Sequence, residues 1–463
     1  MNWKQFLNAE RDRPSEREQD RKVDPRNEFE SDFGRVIFSP ATRRMHDKTQ
    51  VFPLTTDDNI HSRLTHSMEV MAIGHSLGLR VVENDDFLEK TKLPKDEIHR
   101  DIPVILKNAC LVHDIGNPPF GHFGETVISS YFKRFFNYDK ESNSFGKVDP
   151  NIAKLRLSDD EKKDFTLFDG NAQGLRVLTK LQVLNDDKGL NLTYATLGAF
   201  IKYPNYGDPI KGNLPYKKRG VFQSEINIFK QVVDECGLEK DNEVMRHPLA
   251  FLMEAADSIC YLVMDLEDSF NKGWYSYKFI AGKLKGVSQS IDDKLEKLER
   301  KEVGLGSEIT KMVKLRIHLI SELVKVAVKN FVDNLELICA GQYKNELIHD
   351  DPNKLADTLA DFSYDHIFPK REIQQLELTG HSVITGLLDY YIDFIFFNSG
   401  DYRKRAEGIL SNSLKRAAMI ENKVDKFEDI SDYYKLRTIV DYISGMTDQF
   451  ALNQYQKLSG QKI

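Results

Sequence analysis

The stretch HDIGNPPFGHFGE at residues 113–125 is the most informative part of this chain for both fold and chemistry. His113 and Asp114 follow an apolar run with helical spacing over residues 101–113, and the Asn-Pro-Pro at 117–119 stops that helix one turn later. Adjacent helical residues point about 100° apart, so the pair cannot share a helix face. At a helix end, however, the two side chains can straddle one ion. The stretch therefore predicts half of a metal site at the end of a helix.

Two other stretches supply the remaining ligands. The run RLTHSMEV at residues 63–70 places His66 beside a buried helical stripe, and EAADSICY at 254–261 places Asp257 in the middle of an apolar helix. A carboxylate in such surroundings needs a partner, because burying it unpaired is costly. Two imidazoles and two carboxylates suit a divalent metal that activates water in phosphate chemistry. We expect His66, His113, Asp114 and Asp257 to bind one divalent ion per site, Mg²⁺, Mn²⁺ or similar, rather than to be four satisfied polar residues of the core.

A second imidazole and a carboxylate follow closely along the chain. His122 and Glu125 are three residues apart, so on a helical turn their side chains face the same way. A carboxylate that holds an imidazole raises its basicity and sets its tautomer, as a general acid or base requires. The pair is predicted to be catalytic, with a merely structural His–Glu contact as the alternative.

Polar residues also continue along the helix that carries Asp257. Asp257, Tyr261, Asp265 and Asp268 recur at steps of four, four and three, which places them on one stripe. This spacing indicates a polar pocket that runs away from the metal, where Tyr261 and Asp265 could hold sugar hydroxyls. Asp268 and Glu267 could equally be ordinary exposed charges.

Cationic residues near these motifs are candidates for binding an anionic substrate. Arg63 lies one turn before His66 and would project beside the metal. Lys202, Lys218 and Arg43 lie in loops or near proline and glycine, and each is a candidate for phosphate. For each of them the alternative is a solvated surface charge.

Composition agrees with an intracellular enzyme. The 463 residues carry a net charge of −7, so contact with nucleic acid would need a local basic patch. The four cysteines are scattered and lack CxxC spacing, which indicates reduced thiols in a cytoplasmic protein. The chain shows neither a signal peptide nor an apolar run long enough for an ordinary membrane span.

Helical periodicity dominates the chain, so the predicted fold is mainly α, with at most a small β-hairpin in the Pro- and Gly-rich stretch 202–222. We expect a charged N-terminal arm over 1–37, a catalytic core over 38–275 and a C-terminal helical region over 276–463. Within the core, residues 137–165 lose the apolar pattern and are expected to form a variable loop or lid.

The order His, His-Asp, Asp resembles the signature of the HD-domain superfamily of metal-dependent phosphohydrolases. The wider pattern resembles the deoxyguanosine triphosphate triphosphohydrolases over about residues 25 to 455. It consists of the three stretches above together with RRMHDKTQV at 43–51, DGNAQ at 169–173, KYP at 202–204 and RTIVDYISGMTD at 437–448. Ser258 stands where relatives often carry a second Asp.

The resemblance implies an HD-domain helical core with additional C-terminal helices, and hydrolysis of a deoxynucleoside triphosphate, dGTP favoured, to the deoxynucleoside and tripolyphosphate. It implies that the C-terminal region completes the pocket and provides an oligomer interface, since family members form multimers, commonly hexamers. It assigns the metal to His66, His113, Asp114 and Asp257, and acid–base catalysis to His122 with Glu125. It assigns substrate contacts to Gln50, Arg63, Asn171, Lys202, Lys218, Tyr261, Asp265 and Arg437.

Two other functions stay open at this point. Another HD phosphohydrolase, a 5′-nucleotidase or a cyclic-nucleotide phosphodiesterase, would release orthophosphate or open a cyclic ester. A non-catalytic nucleotide sensor or single-stranded-DNA-binding scaffold would bind without turnover, although every expected metal ligand is present. Single-stranded DNA also stays open as a regulator of an active enzyme. Base preference, native metal, allosteric activation and exact oligomeric state cannot be read from the sequence.

Overall fold

A computed structural model describes residues 2–14, 24–50, 52–54, 60–182, 188–300 and 307–461. Within these residues the protein is mainly α-helical, which confirms the predicted fold class. None of the helices among them combines the length and apolarity needed to cross a membrane.

The first half of the chain forms the helices that surround the candidate metal ligands. They are α1 Trp3–Phe6, α2 Glu28–Ile37, α3 Pro40–Arg44, α4 Arg63–Val82, α5 Asp85–Thr91, α6 Lys95–Val112, α7 Gly121–Phe135, α8 Asp159–Thr166, α9 Gly170–Arg176, α10 Tyr194–Phe200, α11 Ile226–Cys236 and α12 Pro248–Asn271. The second half continues with α13 Tyr277–Leu284, α14 Gln289–Glu299, α15 Ser307–Asp333, α16 Leu335–Cys339, α17 Leu355–Phe362, α18 Arg371–Ile392, α19 Asp401–Ile409, α20 Asn412–Asn422, α21 Asp432–Ser444 and α22 Asp448–Leu458.

Short irregular helices join or extend these elements. Single turns of 3₁₀-helix cover Met45–Asp47, Ile152–Lys154, Leu214–Tyr216, Gln223–Glu225 and Phe427–Asp429. Three π-helical segments, Val177–Leu181, Ser363–Ile367 and Asp393–Phe397, directly continue α9, α17 and α18.

Two β-hairpins are present among the described residues, where the sequence predicted one at most. Strand β1 Tyr138–Asp139 pairs with β2 Ser144–Phe145, and β3 Glu239–Lys240 pairs with β4 Glu243–Val244, both antiparallel. Neither lies in 202–222, which forms turns instead. The first hairpin and α8 occupy most of the stretch expected to be a loop or lid, so that stretch is partly regular structure.

The candidate ligands lie where α4, α6 and α12 pack together. The close approach of α4 and α6 depends on two glycines of α4, because a Cβ at Gly74 would collide with Cys110 and one at Gly78 would come 2.7 Å from the Pro103 backbone. Apolar residues of these helices, among them Val70 and Ile259, are fully buried in one large cluster. The packing therefore fixes the ligand-bearing helices against one another.

A second apolar cluster joins α7 to the C-terminal helices α18, α21 and α22. Phe120, Phe132, Ile384 and Ile439 are among its buried members. The helix that follows the metal-ligand turn is thus packed on the C-terminal region, while α15 packs on α12 in the first cluster. The division at residue 275 stays a prediction.

Parts of the predicted N-terminal charged arm, 1–37, pack on the rest of the protein over the residues that the structure describes. Trp3 and Phe6 are buried in the first cluster. Arg11 is also buried, and donates to Asp32 and to the carbonyl of Asn191. The Asn191 carbonyl lies 180 residues from Arg11, so the local charge pattern could not predict this contact. Residues 15–23 lie outside the described part.

Candidate metal centre and active site

The four predicted metal ligands meet at one point inside the protein. His66 lies in the second turn of α4, which Ser62 caps with a reciprocal side-chain bond to Thr65. His113 and Asp114 follow the end of α6, and Asp257 projects from the middle of α12. Three helices that pack together thus supply one, two and one side chains.

Their distances fit a shared cation. One ligand atom each of His66, His113 and Asp114 lie within 4.8 Å of one another. Asp257 Oδ1 lies 3.2 Å from His66 Nε2 and 3.3 Å from His113 Nε2, and Asp114 Oδ2 lies 3.4 Å from His113 Nε2. His113 Nε2 is buried yet has no well-aligned hydrogen-bond partner among the described residues. A nitrogen that is buried near two carboxylates without bonding to either suits a metal lying between them.

The tautomer of His113 is set for that purpose. Its Nδ1 lies 2.7 Å from the carbonyl oxygen of Cys110 and must donate to it, which leaves the Nε2 lone pair facing the carboxylates. Burial lowers the pKa of His113, but Asp114 and Asp257 outweigh that and raise the pKa to about 10. The excess negative charge of the group thus attracts a cation to this position, and without a metal that cation is a proton.

Arg63 lies beside this group, as predicted. Its side chain is buried and pairs with Asp114, and Nη2 also donates to the Thr49 carbonyl at 3.1 Å. Burial raises the pKa of Asp114, but Arg63 and His113 together hold it well below the usual carboxyl range. Asp114 is therefore a fixed carboxylate whose Oδ2 contacts both the Arg63 guanidinium and His113, while its Oδ1 accepts from Asn117.

His122 lies on α7 and is the first residue in a series of polar contacts that continues through Glu125 and Lys218 to Asp169. Its Nδ1 lies 3.2 Å from Glu125 Oε1, and its ring is 73% exposed while Glu125 is buried. Glu125 raises the pKa of His122. The other oxygen of Glu125 lies 3.9 Å from Lys218 Nζ, which contacts Asp169 Oδ2 at 2.7 Å. A buried carboxylate thus holds an imidazole that can still reach a ligand.

Lys202 also lies beside one of the candidate metal ligands, Asp257. Its Nζ lies 3.7 Å from Asp257 Oδ2 and 3.4 Å from Glu254 Oε1, and Glu254 also pairs with Arg246 at 2.5 Å. Burial lowers the pKa of Lys202, but Tyr203, Glu254 and Asp257 raise it well above the ordinary range. The lysine is therefore a permanent cation next to the candidate metal position.

The stripe on α12 forms a polar wall that leads away from Asp257. Asp265 is buried, and burial followed by Asp268 raises its pKa to about 8. His61 lies between Asp268 and Glu69, at 3.0 Å and 3.2 Å, and these two hydrogen bonds raise its pKa to about 10. Tyr261 lies one turn from Asp257, and burial raises its pKa. Asp268 is thus a buried partner of His61 rather than an exposed charge.

Three other predicted substrate residues have different surroundings. Gln50 Oε1 is buried without a hydrogen-bond partner among the described residues, and the Gln50 carbonyl faces Gly121, directly before His122. Asn171 donates from its backbone and side chain to Asp169, at 2.9 and 2.8 Å. Arg437, in contrast, is fully buried in its own chain, where it donates to Gln173 Oε1 at 2.7 Å and covers the Phe222 ring at 3.9 Å. The structure does not bring Arg437 into contact with the candidate metal ligands.

Two residues that received no role from the sequence hold the metal-ligand turn. The buried Lys48 Nζ donates to the carbonyl of Asn117 at 2.6 Å and to that of Ser444 at 2.7 Å. Asp448 accepts from the backbone N–H of Phe120 at 2.9 Å and from Thr49. Both residues lie in stretches that carry the family resemblance, and this was the only available signal. We call this connection between residues 48–49, 117–120 and 444–448 the turn clamp.

The helical fold and a separated His, His-Asp pair and later Asp around one point define a hydrolase of the HD-domain superfamily. A family model described as a phosphohydrolase-associated domain matches residues 348–457. A deoxyguanosinetriphosphate triphosphohydrolase-like protein of Listeria innocua is 34% identical over 99% of this chain and 100% of its own length. The chain therefore belongs to the deoxyguanosinetriphosphate triphosphohydrolase family.

Two further relatives agree. A deoxyguanosinetriphosphate triphosphohydrolase of Enterobacter sp. (strain 638) is 34% identical over 93% of both chains. A deoxyguanosinetriphosphate triphosphohydrolase-like protein of Pseudomonas aeruginosa is 35% identical over 94% of both. The similarity thus extends through the catalytic motifs and the C-terminal helices.

Proposed function

We propose that this protein hydrolyses deoxynucleoside triphosphates, dGTP preferentially, to the deoxynucleoside and tripolyphosphate, with one divalent ion per site, in the cytoplasm. The observation that carries the proposal is the group of His66, His113 and Asp114, whose ligand atoms lie within 4.8 Å of one another, with Asp257 Oδ1 within 3.3 Å of both histidine Nε2 atoms. The names of the relatives support the choice of substrate class.

The four side chains fit a divalent metal by donor type and by the unpartnered nitrogen of His113. A bound Mg²⁺ or Mn²⁺ would neutralise charge at the α-phosphate and lower the pKa of water there. Arg63 and Lys202 lie beside the ligands and would bind phosphate oxygens, while Asn171 and Lys218 would hold the outer phosphates.

His122 would supply the proton for the leaving group. Glu125 raises the pKa of His122, so the ring is protonated over more of the neutral range, and its exposure leaves it accessible to substrate. Water adds to the α-phosphorus and loses a proton to solvent, the bond to the 5′ oxygen breaks, and His122 donates its proton to that oxygen. All three phosphates then leave in one piece. His122→Asn is expected to lower kcat by about 10²-fold or more at neutral pH.

The sugar would lie along α12 and near Gln50. Tyr261 would pack against the 2′ carbon, and Asp265 and Gln50 would accept or donate hydrogen bonds to the 3′ hydroxyl. Discrimination against ribonucleotides then depends on the space beside Tyr261. Equal rates on GTP and dGTP would remove this role for Tyr261.

The decisive experiment is product analysis after incubating the purified protein with each of the four dNTPs and Mg²⁺ or Mn²⁺. Deoxynucleoside with intact tripolyphosphate, strongest for dGTP and lost in Asp257→Ala, is the expected result. Orthophosphate or pyrophosphate would instead indicate one of the other HD phosphohydrolases. Binding of single-stranded DNA without turnover of any dNTP, alone or in mixtures, would favour the sensor.

We further propose that the protein is a homo-oligomer, with a hexamer as the specific expectation, and that single-stranded DNA regulates it. Exposed apolar side chains support the first proposal, since Tyr364 is 74% exposed and Leu378 67%. Analytical ultracentrifugation tests the assembly. A change of the dNTP hydrolysis rate on adding an oligonucleotide tests the regulation.

A further inference from the structure

A basic pocket of about 350 Å³ lies beside the His122–Glu125 pair, on the side of the first hairpin. Glu125 and Asp169 form part of its wall, so it adjoins the series of polar contacts that holds His122. Its cationic lining residues outnumber these two carboxylates, and they are Lys133, Lys140, Lys217, Lys218 and Arg219. In a chain of net charge −7, this excess of positive charge is a local feature.

The cations of this pocket divide into those that have carboxylate partners and those that do not. Lys217 pairs with Glu346 at 3.0 Å, Lys218 with Asp169 at 2.7 Å, and Arg219 Nε lies 3.0 Å from Asp164. Lys133 and Lys140 have no carboxylate at ion-pair distance among the described residues. Burial, and then the neighbouring Lys140, lower the pKa of Lys133. These two ammonium groups therefore share one pocket, and neither has a carboxylate partner of its own among the described residues.

Buried Arg219 adds to the positive potential. Its side chain is fully buried, and its Nη1 has no hydrogen-bond partner within the part of the chain that the structure describes. A guanidinium stays protonated, so Arg219 cannot avoid the cost of a buried unpaired N–H by becoming neutral. The wall of the pocket therefore carries a permanent charge, which Asp164 contacts at 3.0 Å.

The hairpin that carries Lys140 is anchored to neighbouring elements. Asn143 in its turn donates to Asp208 at 2.8 Å, and Lys163 of α8 pairs with the same carboxylate at 2.9 Å. Phe145 of β2 packs edge-on against Phe136 at the end of α7. The hairpin is therefore anchored on two sides, and its Lys140 lines the pocket together with Lys133.

We propose that this pocket binds inorganic polyphosphate, namely the tripolyphosphate product as it leaves the catalytic site, with Lys133 and Lys140 as its specific ligands. The identity of the anion rests on the proposed function, because that reaction releases a linear polyanion next to Glu125. Two cations without carboxylate partners, next to three that are paired, suit a ligand with several negative charges. Residues 137–145 thereby acquire a role in handling product.

The test is the binding of sodium tripolyphosphate by isothermal titration calorimetry at a fixed Mg²⁺ concentration. We compare the wild-type protein with the Lys133→Gln/Lys140→Gln double variant. Arg134→Gln is the matched control, since it removes one charge from the same helix at an exposed residue that does not line the pocket. The double variant is expected to bind about tenfold more weakly and the control within about twofold, as for the loss of hydrogen bonds to a charged group. The product-inhibition constant of tripolyphosphate should rise in parallel.

Unchanged affinity in the double variant would overturn the inference, and so would equal weakening by Arg134→Gln, which would mean only a general surface potential. Retained tripolyphosphate binding with lost affinity for a 20-nucleotide single strand would reassign the pocket to nucleic acid. Thermal midpoints of all three proteins should agree within about 2 °C, which excludes misfolding. The binding assay needs no turnover, so a wild-type protein that binds as expected but hydrolyses no dNTP would refute the proposed function and leave the polyphosphate site standing.

Discussion

Two groups of buried charges, the candidate metal ligands and the residues around Arg176, differ in whether each buried polar atom has a partner within the protein. Arg176 pairs with Asp441 at 2.9 Å, Glu225 at 2.8 Å and Glu421 at 3.0 Å, so each of its three nitrogens has a carboxylate. At the candidate metal centre, His113 Nε2 has two carboxylates nearby and bonds well to neither.

The difference separates a structural group from a functional one. The Arg176 group joins α9 to α20 and α21, and all of its strong partners come from the protein. In the candidate metal-ligand group, His66 Nε2 bonds to Asp257 Oδ1 at 3.2 Å, whereas His113 Nε2 lies near two carboxylates without a well-aligned bond to either. Buried polar groups are normally satisfied, and an exception of this kind indicates a missing ligand. Variants in the two groups should therefore affect different properties.

The largest expected effect is on catalysis, from Asp257→Ala. Loss of a carboxylate shared by both histidines should lower kcat/KM by about 10³-fold or more, because the divalent ion loses a ligand. Stability should change by less than about 2 kcal/mol in EDTA, since His113 can release its proton once Asp257 is gone. Product assays and urea unfolding measure the two quantities, with the exposed Asp361→Ala as control. Full activity in Asp257→Ala would show that this group is not functional and would contradict the difference drawn between the two groups.

Arg176→Met should do the reverse and destabilise the fold by about 3–5 kcal/mol. Its removal leaves three carboxylates buried around an apolar side chain, and breaking a buried ion pair on one side has a cost of this size. Arg100→Met, which breaks an exposed pair with Glu30, is the control and should change stability by less than about 1 kcal/mol. Equal urea midpoints for the two variants would show that the Arg176 group is not structural.

A variant of the turn clamp should have a smaller effect than either of these variants. Lys48→Met removes two hydrogen bonds that hold the carbonyls of Asn117 and Ser444, and should weaken Mn²⁺ binding about tenfold by loosening the turn that carries Asp114. Lys435→Met is the matched control, because Lys435 is also buried and donates to a backbone carbonyl, that of Glu428, away from the metal ligands. Paramagnetic titration measures the affinity. Identical Mn²⁺ affinity in both variants would remove the positioning role of Lys48.

An effect of similar size is expected for the pH dependence of stability within the Arg176 group. Burial raises the pKa of Glu225 from the ordinary 4.5 to about 7, against the opposing effect of Arg176. The folded protein therefore holds this proton where the unfolded chain has lost it, so stability falls as pH rises from about 4.5 to about 7. Glu225→Gln should remove roughly 1–3 kcal/mol of that decline. Urea unfolding across this range measures it, with the exposed Glu428→Gln as control; an unchanged slope in Glu225→Gln would show that this carboxyl titrates normally.

The sequence was most informative where chemistry and local pattern coincide. His66, His113, Asp114 and Asp257 could be selected because each lies in a helical pattern that the structure contains, and the mainly α fold followed from the same periodicity. The stripe from Asp257 to Asp268 was likewise predictable, since it depends only on helical geometry within α12.

The rest depended on partners far along the chain or on backbone groups. The contacts of Arg437 with Gln173 and Phe222 cannot be read from its own motif, and its contact with substrate stays a prediction. The two acceptors of Lys48 are carbonyls at 117 and 444, which no side-chain pattern reveals. The hairpins escaped detection because two-residue strands are too short to show alternation.

The turn clamp also determines when, during synthesis of the chain, the turn that follows His113 and Asp114 gains its C-terminal contacts. Ser444 and Asp448 hold a turn more than 300 residues earlier in the chain, through the Lys48 ammonium and the Phe120 N–H. A nascent polypeptide that has emerged only as far as α12 contains every candidate metal ligand, but the turn that carries two of them still lacks its C-terminal contacts. These contacts can form only after residues 444–448 have been synthesised, so the turn is completed later than the three helices that carry the candidate ligands.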